Sequence, residues 1–295
     1  MSRISLYLET TRPKTLIVSL APMILVATYV APKTFDAISL LLSTTLSVLL
    51  IQILTNYYND YFDLKKGSDT DDRKGPKRPF QRGDLSEVEM KKMIYLLTIT
   101  YAISVIPIIC KLKLVGAFLA LLCYLLSIYY TKGNYSLAYL GISDIFSFLF
   151  FGPIATSVTG YLLTNQFQLP LILIGCFTGA LSTIILTVNH LRDEIEDGQA
   201  NKRTLVVRFG ERFGLYEILI LVWVARLLPL VIFEWNLVTF TCVILIGITS
   251  QQFLNTLFLC KNKPQFALLL KDAAIHFFIQ LNLMWTLCVF SHFKV

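Results

Sequence analysis

Residues 169–197 read LPLILIGCFTGALSTIILTVNHLRDEIED, and no Asp, Glu, Lys or Arg interrupts them before Arg192. An uncharged run of about 20 residues is the length of helix that crosses the hydrocarbon core of a bilayer. The run then changes character: Asn189, Asp193 and Asp197 recur every fourth residue, which on a continuing helix makes one polar stripe. A segment built as a membrane span at one end and a row of carboxylates at the other predicts a helix in lipid with chemistry at its tip.

Outward from this stretch, apolar runs of similar length recur near 15–31, 38–58, 93–110, 114–130, 145–164, 215–233, 237–260 and 273–291, so nine spans are expected. Composition agrees, with 55% AVILMFWYC and only 15% DEKR over 295 residues and a mean hydropathy of +0.65. Soluble domains carry about 25% charged residues, and disordered chains lack such an aliphatic and aromatic content. The prediction is an all-α, multi-spanning membrane protein, one domain over 1–295, with cytoplasmic loops at about 61–92 and 192–214. Basic residues precede the first run, as in a signal peptide, but no A-x-A site closes it and eight spans follow, so it is read as a retained span. The six cysteines lie in or beside apolar runs with no C-x-x-C, which points neither to disulfides nor to zinc.

The net charge of +7 is spread over loops instead of one basic face, so no nucleic-acid partner is expected and membrane lipid is. Arg3, Arg12 and Lys14 precede the first span and the even-numbered loops hold most Lys and Arg, whereas the odd-numbered loops carry only Lys33, Lys111 and Lys113. Positive charge marks the cytoplasmic side. The N-terminus and the even loops are thus expected in the cytoplasm, the C-terminus outside, and the membrane to be the cytoplasmic (plasma) membrane.

Of 19 acidic residues, eight fall between Asp60 and Glu89 and four between Asp193 and Asp197, at the ends of even spans. The first cluster reads NYYNDYFDLKKGSDTDDR over 56–73. Asn59 and Asp63 share a helix face; Gly67 is expected to end the helix, with Asp69 beyond it. Asn56, Asp60 and Asp63 form a rival face that spacing does not separate from the first. Asn59 to Asn189 and Asp63 to Asp193 are both intervals of 130 residues with four spans between, so the clusters emerge on one membrane side, as in a parallel repeat. Either cluster alone would pass for a solvated loop with capping Asn and Asp; matched spacing on one face argues for a shared task.

Carboxylates gathered in this way repel one another unless cations neutralise them. Their hard oxygens suit Mg²⁺, which binds one or two carboxylates plus water and phosphate oxygens. Two facing sets of Asp therefore suit a Mg²⁺-diphosphate, with Lys65, Arg73, Arg78, Lys202 and Arg203 near enough in sequence to take the remaining oxygens.

With these residues in hand, the chain resembles the UbiA superfamily of intramembrane prenyltransferases, and within it the 1,4-dihydroxy-2-naphthoate prenyltransferases of menaquinone synthesis (the MenA branch). The match is carried by RPKTL (12–16), NDYFDLKKGSD (59–69), DRKGPKRPFQRG (72–83), FGP (151–153), NHLRDEIED (189–197) and NKRTLVVRFG (201–210). The resemblance implies helices around a central cavity and Mg²⁺-dependent transfer of a polyprenyl group from polyprenyl diphosphate to an aromatic acceptor. It implies that Asn59, Asp63 and Asp69 face Asn189, Asp193 and Asp197 across the diphosphate, the four Asp on the metal and Asp63 and Asp193 essential to turnover. The first motif departs from the N-x-x-x-D-x-x-x-D form of the hydroxybenzoate branch, since Gly67 takes the place of its last Asp. In YTKGNY (130–135), otherwise like the family's Y-T-x-G loop, Lys132 adds a cation.

Other readings stay open at this point. Other naphthoates, 4-hydroxybenzoate or homogentisate are alternative acceptors; a transporter also places acids at repeat-related helix ends but would bury charge near the midplane. The D-G-x-x-A-R pattern of lipid phosphotransferases is absent at Asp63, where Leu64 follows. Tyr130 and Tyr139 are the candidate wall aromatics. His190 reads as an acid/base group or as a helix neighbour about 100° round from Asn189. Arg226 within span 7 suggests helix pairing, and Glu217 lies too far along the chain from either motif to be linked to them.

Overall fold

The computed structural model describes residues 2–67, 77–133, 136–260 and 262–292, and every regular element among them is helical. A short α1 (Arg3–Thr11) ends at Arg12, a 3₁₀ turn (Pro13–Thr15) follows, and α2 (Leu16–Val30) enters the bundle. Then come α3 (Phe35–Lys65), α4 (Glu87–Ser104), α5 (Ile106–Leu112), α6 (Leu114–Tyr129), α7 (Leu137–Leu140), α8 (Ser143–Phe150) and α9 (Pro153–Thr164). The second half comprises α10 (Leu169–Gln199), α11 (Leu205–Phe209), α12 (Glu211–Ile232), α13 (Leu237–Leu259) and α14 (Lys263–Phe290).

Among the described residues eight segments are long and apolar enough to cross a membrane, with α1–α2, α4–α5 and α8–α9 each counted as one span. The run expected at 114–130 is helical too, but α6 has only 16 residues. At 1.5 Å per residue it rises about 24 Å, less than the hydrocarbon thickness of about 30 Å. Proline explains the α4–α5 and α8–α9 breaks. Pro107 and Pro153 sit in the first turns of α5 and α9, where a missing N–H costs least and a continuing helix would be interrupted. The outer face is apolar, with Phe35, Leu114, Phe118, Trp223 and Leu237 exposed. That suits lipid, which offers no hydrogen bonds and so admits only helices whose polar backbone is satisfied internally.

Helix α10 runs through the middle, against α2, α8, α9, α11, α12 and α14. Its approach to the α8–α9 break depends on glycine. A Cβ on Gly179 would lie 2.3 Å from the Phe148 carbonyl oxygen, and one on Gly152 2.2 Å from the same atom and 2.6 Å from that of Gly175. Small residues let helix backbones touch and gain van der Waals contact where no hydrophobic force drives association. Gly179→Ala is expected to destabilise the bundle by about 1–3 kcal/mol, the usual range for overpacking, seen as a lower unfolding midpoint in detergent; an unchanged midpoint would refute the contact.

Helices α3 and α10 each have 31 residues and outlast the apolar runs that predicted them. The former stops at Lys65, with Gly67 at φ 70°, so the expected helix terminator is where the chain turns. Helix α10 continues to Gln199 and carries Asn189, Asp193 and Asp197 on one continuous surface. Part of each expected loop is therefore helix, and the two carboxylate sets stand on helix ends.

Candidate active site

At the tip of α3 the interior face belongs to Asn56, Asp60 and Asp63, the rival set, all three buried. The Asn56 amide donates to the Thr11 carbonyl at 2.9 Å. Asp60 is paired with Arg12 and with Arg78, the latter at 3.0 Å. Asp63 takes Arg78 at 3.3 Å and accepts from the Tyr139 hydroxyl at 3.3 Å. Arg12 sits in a left-handed conformation (φ 53°), the kink between α1 and the 3₁₀ turn. Asn59, on the flank, accepts a 2.9 Å hydrogen bond from Thr131.

The amino-terminal helix is fastened to this motif. Arg82 donates to both Glu9 carboxylate oxygens at 2.8 and 2.9 Å, Arg3 to the Asp84 carbonyl at 2.9 Å, and Tyr57 to the Tyr7 carbonyl at 3.0 Å.

Lys65 turns away from the motif: it pairs with Glu87 at 2.8 Å and lies over the Tyr61 ring. Its neighbour Lys66 faces in, donating to the carbonyls of Thr131 and Gly133 at 2.5 and 2.7 Å with its ammonium 3.8 Å above the Tyr139 ring. Burial lowers the Lys66 pKa, against the opposing pull of Asp63.

On α10, Asp193 receives two bonds from Arg192 at 2.6 and 2.5 Å, and Asn189 donates back to its own helix at Ile185. Asp197 pairs with Lys202 at 3.3 Å, and the Lys202 backbone N–H donates to the Asp197 carbonyl at 2.8 Å. Burial works against the Lys202 ammonium, but the charges of Asp197 and Asp63 and the Tyr130 phenol outweigh it, and its pKa is raised. Lys202 thus lies within the field of both motifs, which meet at one end of the bundle. The Arg203 backbone N–H donates to the Tyr139 carbonyl at 3.2 Å while the residue itself is exposed. Asp69 and Arg73 lie outside the described residues.

Three ionisable residues, Asp144, His190 and Glu217, lie inward from this rim. Asp144 on α8 stands 3.2 Å from His190, and Thr187 donates to Glu217 at 3.2 Å. Glu217 therefore touches the helix that carries the second motif, a correction to the separation its sequence position implied; folding α12 back against α10 removes the distance along the chain.

Among the described residues no three His, Cys, Asp or Glu side chains form a ready-made metal cage. The donors are nonetheless hard oxygens, and Asp197 Oδ2 is buried without a hydrogen-bond partner. This fits an ion that takes one or two carboxylates and completes its shell with water and phosphate.

A sequence model of the UbiA prenyltransferase family matches residues 19–281. The chain belongs to the UbiA prenyltransferase family. It is 35% identical over 234 residues to a 1,4-dihydroxy-2-naphthoate octaprenyltransferase of Haemophilus influenzae, 76% of each chain being covered. To the enzyme of the same name from Escherichia coli K12 it is 38% identical over 220 residues, 72% of this chain and 70% of that one. Among solved structures, a UbiA homolog from Aeropyrum pernix K1 superposes with TM-score 0.66 at 15% identity, covering 90% of this chain and 96% of that one. One from Archaeoglobus fulgidus bound to DMAPP and Mg²⁺ gives 0.61 at 14%, covering 95% and 99%. At these identities the structural likeness establishes the fold.

Two further features of this UbiA-family prenyltransferase lie apart from the rim. Arg226 donates to the Gly247 carbonyl at 3.2 Å and stacks over Trp223, joining α12 to α13, the pairing role its position within a span suggests. A crevice of about 260 Å³ walled by Tyr58, Tyr61, Phe62, Tyr95 and Tyr124 opens on the side of α3 turned away from Asp60 and Asp63.

Proposed function

We propose that this integral membrane prenyltransferase transfers a polyprenyl group from polyprenyl diphosphate to 1,4-dihydroxy-2-naphthoate, with Mg²⁺ bound beside the diphosphate, as a step of menaquinone biosynthesis. One observation carries the reading: Tyr139 donates to Asp63 of α3 at 3.3 Å and its carbonyl accepts from the Arg203 backbone at 3.2 Å, next to Lys202, which pairs with Asp197 of α10 at 3.3 Å, so two acidic helix tips and their cations converge as a metal-bound diphosphate requires. The naphthoate octaprenyltransferases, similar over about three quarters of the chain, support the acceptor. The archaeal homologs bound to DMAPP or GPP with Mg²⁺ support the donor class and the metal.

In this reading Asp63, Asp69, Asp193 and Asp197 hold the metal, which when bound supplies Lewis-acid charge to the departing diphosphate. Asn59, Asn189, Arg78 and Lys202 contact the diphosphate, joined by Arg12 and Lys66, which the geometry favours over Lys65 and Arg203. These cations are already fixed by Asp60, Asp63, Thr131 and Asp197, so little reorganisation is needed as the allylic C–O bond breaks and its electron pair leaves with the diphosphate. The apolar bundle below keeps water from the allylic carbon until the acceptor ring attacks. By its basic even loops, the rim faces the cytoplasm.

Membranes containing the protein, given one long-chain prenyl diphosphate and a panel of 1,4-dihydroxy-2-naphthoate, 4-hydroxybenzoate and homogentisate, are expected to prenylate the naphthoate fastest, with products identified by mass. Preference for another ring would reassign the acceptor, and no product with any of them would overturn the reading.

A further inference from the structure

Below the carboxylate rim, three helices each contribute one ionisable side chain to the bundle interior. Asp144 and His190 are 2% and 4% exposed. Nδ1 of His190 and Oδ1 of Asp144 are 3.2 Å apart, yet neither atom has an aligned hydrogen bond. The other Asp144 oxygen accepts from Ser143 at 3.3 Å. Glu217, held by Thr187 at 3.2 Å, lies in the field of both Asp144 and His190. Two carboxylates and an imidazole inside a membrane bundle cost more than the apolar residues that would fill the same space. They do not converge as metal ligands, no such group occurring among the described residues.

Their location suggests what they do. His190 precedes Asp193 by three residues, about 4.5 Å along the helix axis toward the apolar interior, and is turned only about 20° from Asp197. A diphosphate held at the rim with its tail in the bundle places the reacting carbon on the inward side, at the level of His190. Asp144 follows by five residues Tyr139, whose hydroxyl donates to Asp63 of the first motif, and His190 adjoins Asn189 of the second, so the pair stands beside both motifs. Asp144 from α8 stands beside the His190 ring, and Glu217 from α12 and Asp197 from its own helix act on it electrostatically; α2 and α9 carry no charged residue.

We infer that His190, oriented by Asp144 and flanked by Glu217, accepts the hydroxyl proton of the aromatic acceptor as its ring attacks the prenyl carbon. The inference rests on the prenyl-transfer reading above. Asp144 takes the Nδ1 side, leaving Nε2 as the accepting atom, since the partner of one ring nitrogen sets the role of the other. The O–H pair moves into the ring, the new C–C bond forms, and the C–O pair leaves with the diphosphate. The attacked carbon then releases its own substituent, as CO₂ from a carboxylate-bearing carbon or as a proton taken up by the departing diphosphate, and the bonding pair returns to the ring to restore aromaticity. The imidazolium returns its proton to the ring oxygen and is neutral again. An imidazole–carboxylate pair loosely aligned before substrate binds is common for such groups, and the bond tightens in the complex. Asp144 acts through His190 and is a positioning residue.

The test is kcat/KM for hydroxynaphthoates of graded hydroxyl acidity in wild type, His190→Gln, Asp144→Asn and Asp144→Glu. His190→Gln is expected to lose about 10²–10⁴-fold on the least acidic acceptor, the usual contribution of general-base catalysis, and progressively less as acidity rises, with the affinity for prenyl diphosphate unchanged. Asp144→Asn should show a smaller loss of the same trend and Asp144→Glu a partial recovery, which keeps the test decisive if His190→Gln does not fold. A loss equal for all acceptors, or none, overturns the inference. Absence of wild-type turnover on every aromatic acceptor would instead overturn the parent reading.

Discussion

Asp63→Ala and Asp193→Ala are each expected to lower prenyl transfer by about 10²–10³-fold while leaving folded protein, because each removes a carboxylate that would hold the metal against the departing diphosphate, and a single group fixed for that charge is worth about 10²–10³. Survival of the fold follows from the partners left behind. Arg78 keeps Asp60 at 3.0 Å when Asp63 is gone, and Arg192 retains the nearby charges of Asp197 and Glu196 when Asp193 is gone, so neither change strands a buried cation. Turnover should be read beside the elution profile and helical circular dichroism in detergent. Wild-type turnover in either variant would sink the site assignment.

Removal of divalent metal is expected to bring activity to background, with Mg²⁺ restoring it. The described rim nearly balances itself: Asp60, Asp63, Asp193 and Asp197 stand against Arg12, Arg78, Arg192, Lys66 and Lys202, one more cation than carboxylates. A diphosphate adds several negative charges that this surplus does not meet, and like charges at such distances do not coexist unneutralised. Asp197 Oδ2, buried and unpartnered, is the atom with most to gain from a bound cation. Full activity after exhaustive chelation would exclude the metal-bound diphosphate.

The membrane architecture was legible in the sequence because span length and charge exclusion are dictated by the bilayer alone, and the α10 stripe was legible because its helix continues unbroken through Asp197. What escaped was rotational or tertiary. Lys65 and Lys66 are adjacent, but one residue is about 100° of helix, enough to send the first to Glu87 and the second over Tyr139. The choice between Asn59 and the Asn56–Asp60 face depended on Arg12 arriving from α1. The grouping of Asp144, His190 and Glu217 depends on which helices neighbour α10, and nothing in local spacing encodes that.

The shortness of α6 has a consequence for the lipid. Leu114, Phe118, Leu121, Leu125 and Tyr129 form its exposed stripe, so this roughly 24 Å helix meets acyl chains directly. Hydrophobic mismatch of several ångströms is relieved by local thinning of the bilayer or by flanking residues reaching to the interface, at a fraction of a kcal/mol per ångström. Lys113 and Lys132 bracket the helix and are placed to do so. The protein thus carries on one flank its own preference for membrane thickness, beside α3, the helix that bears the first motif.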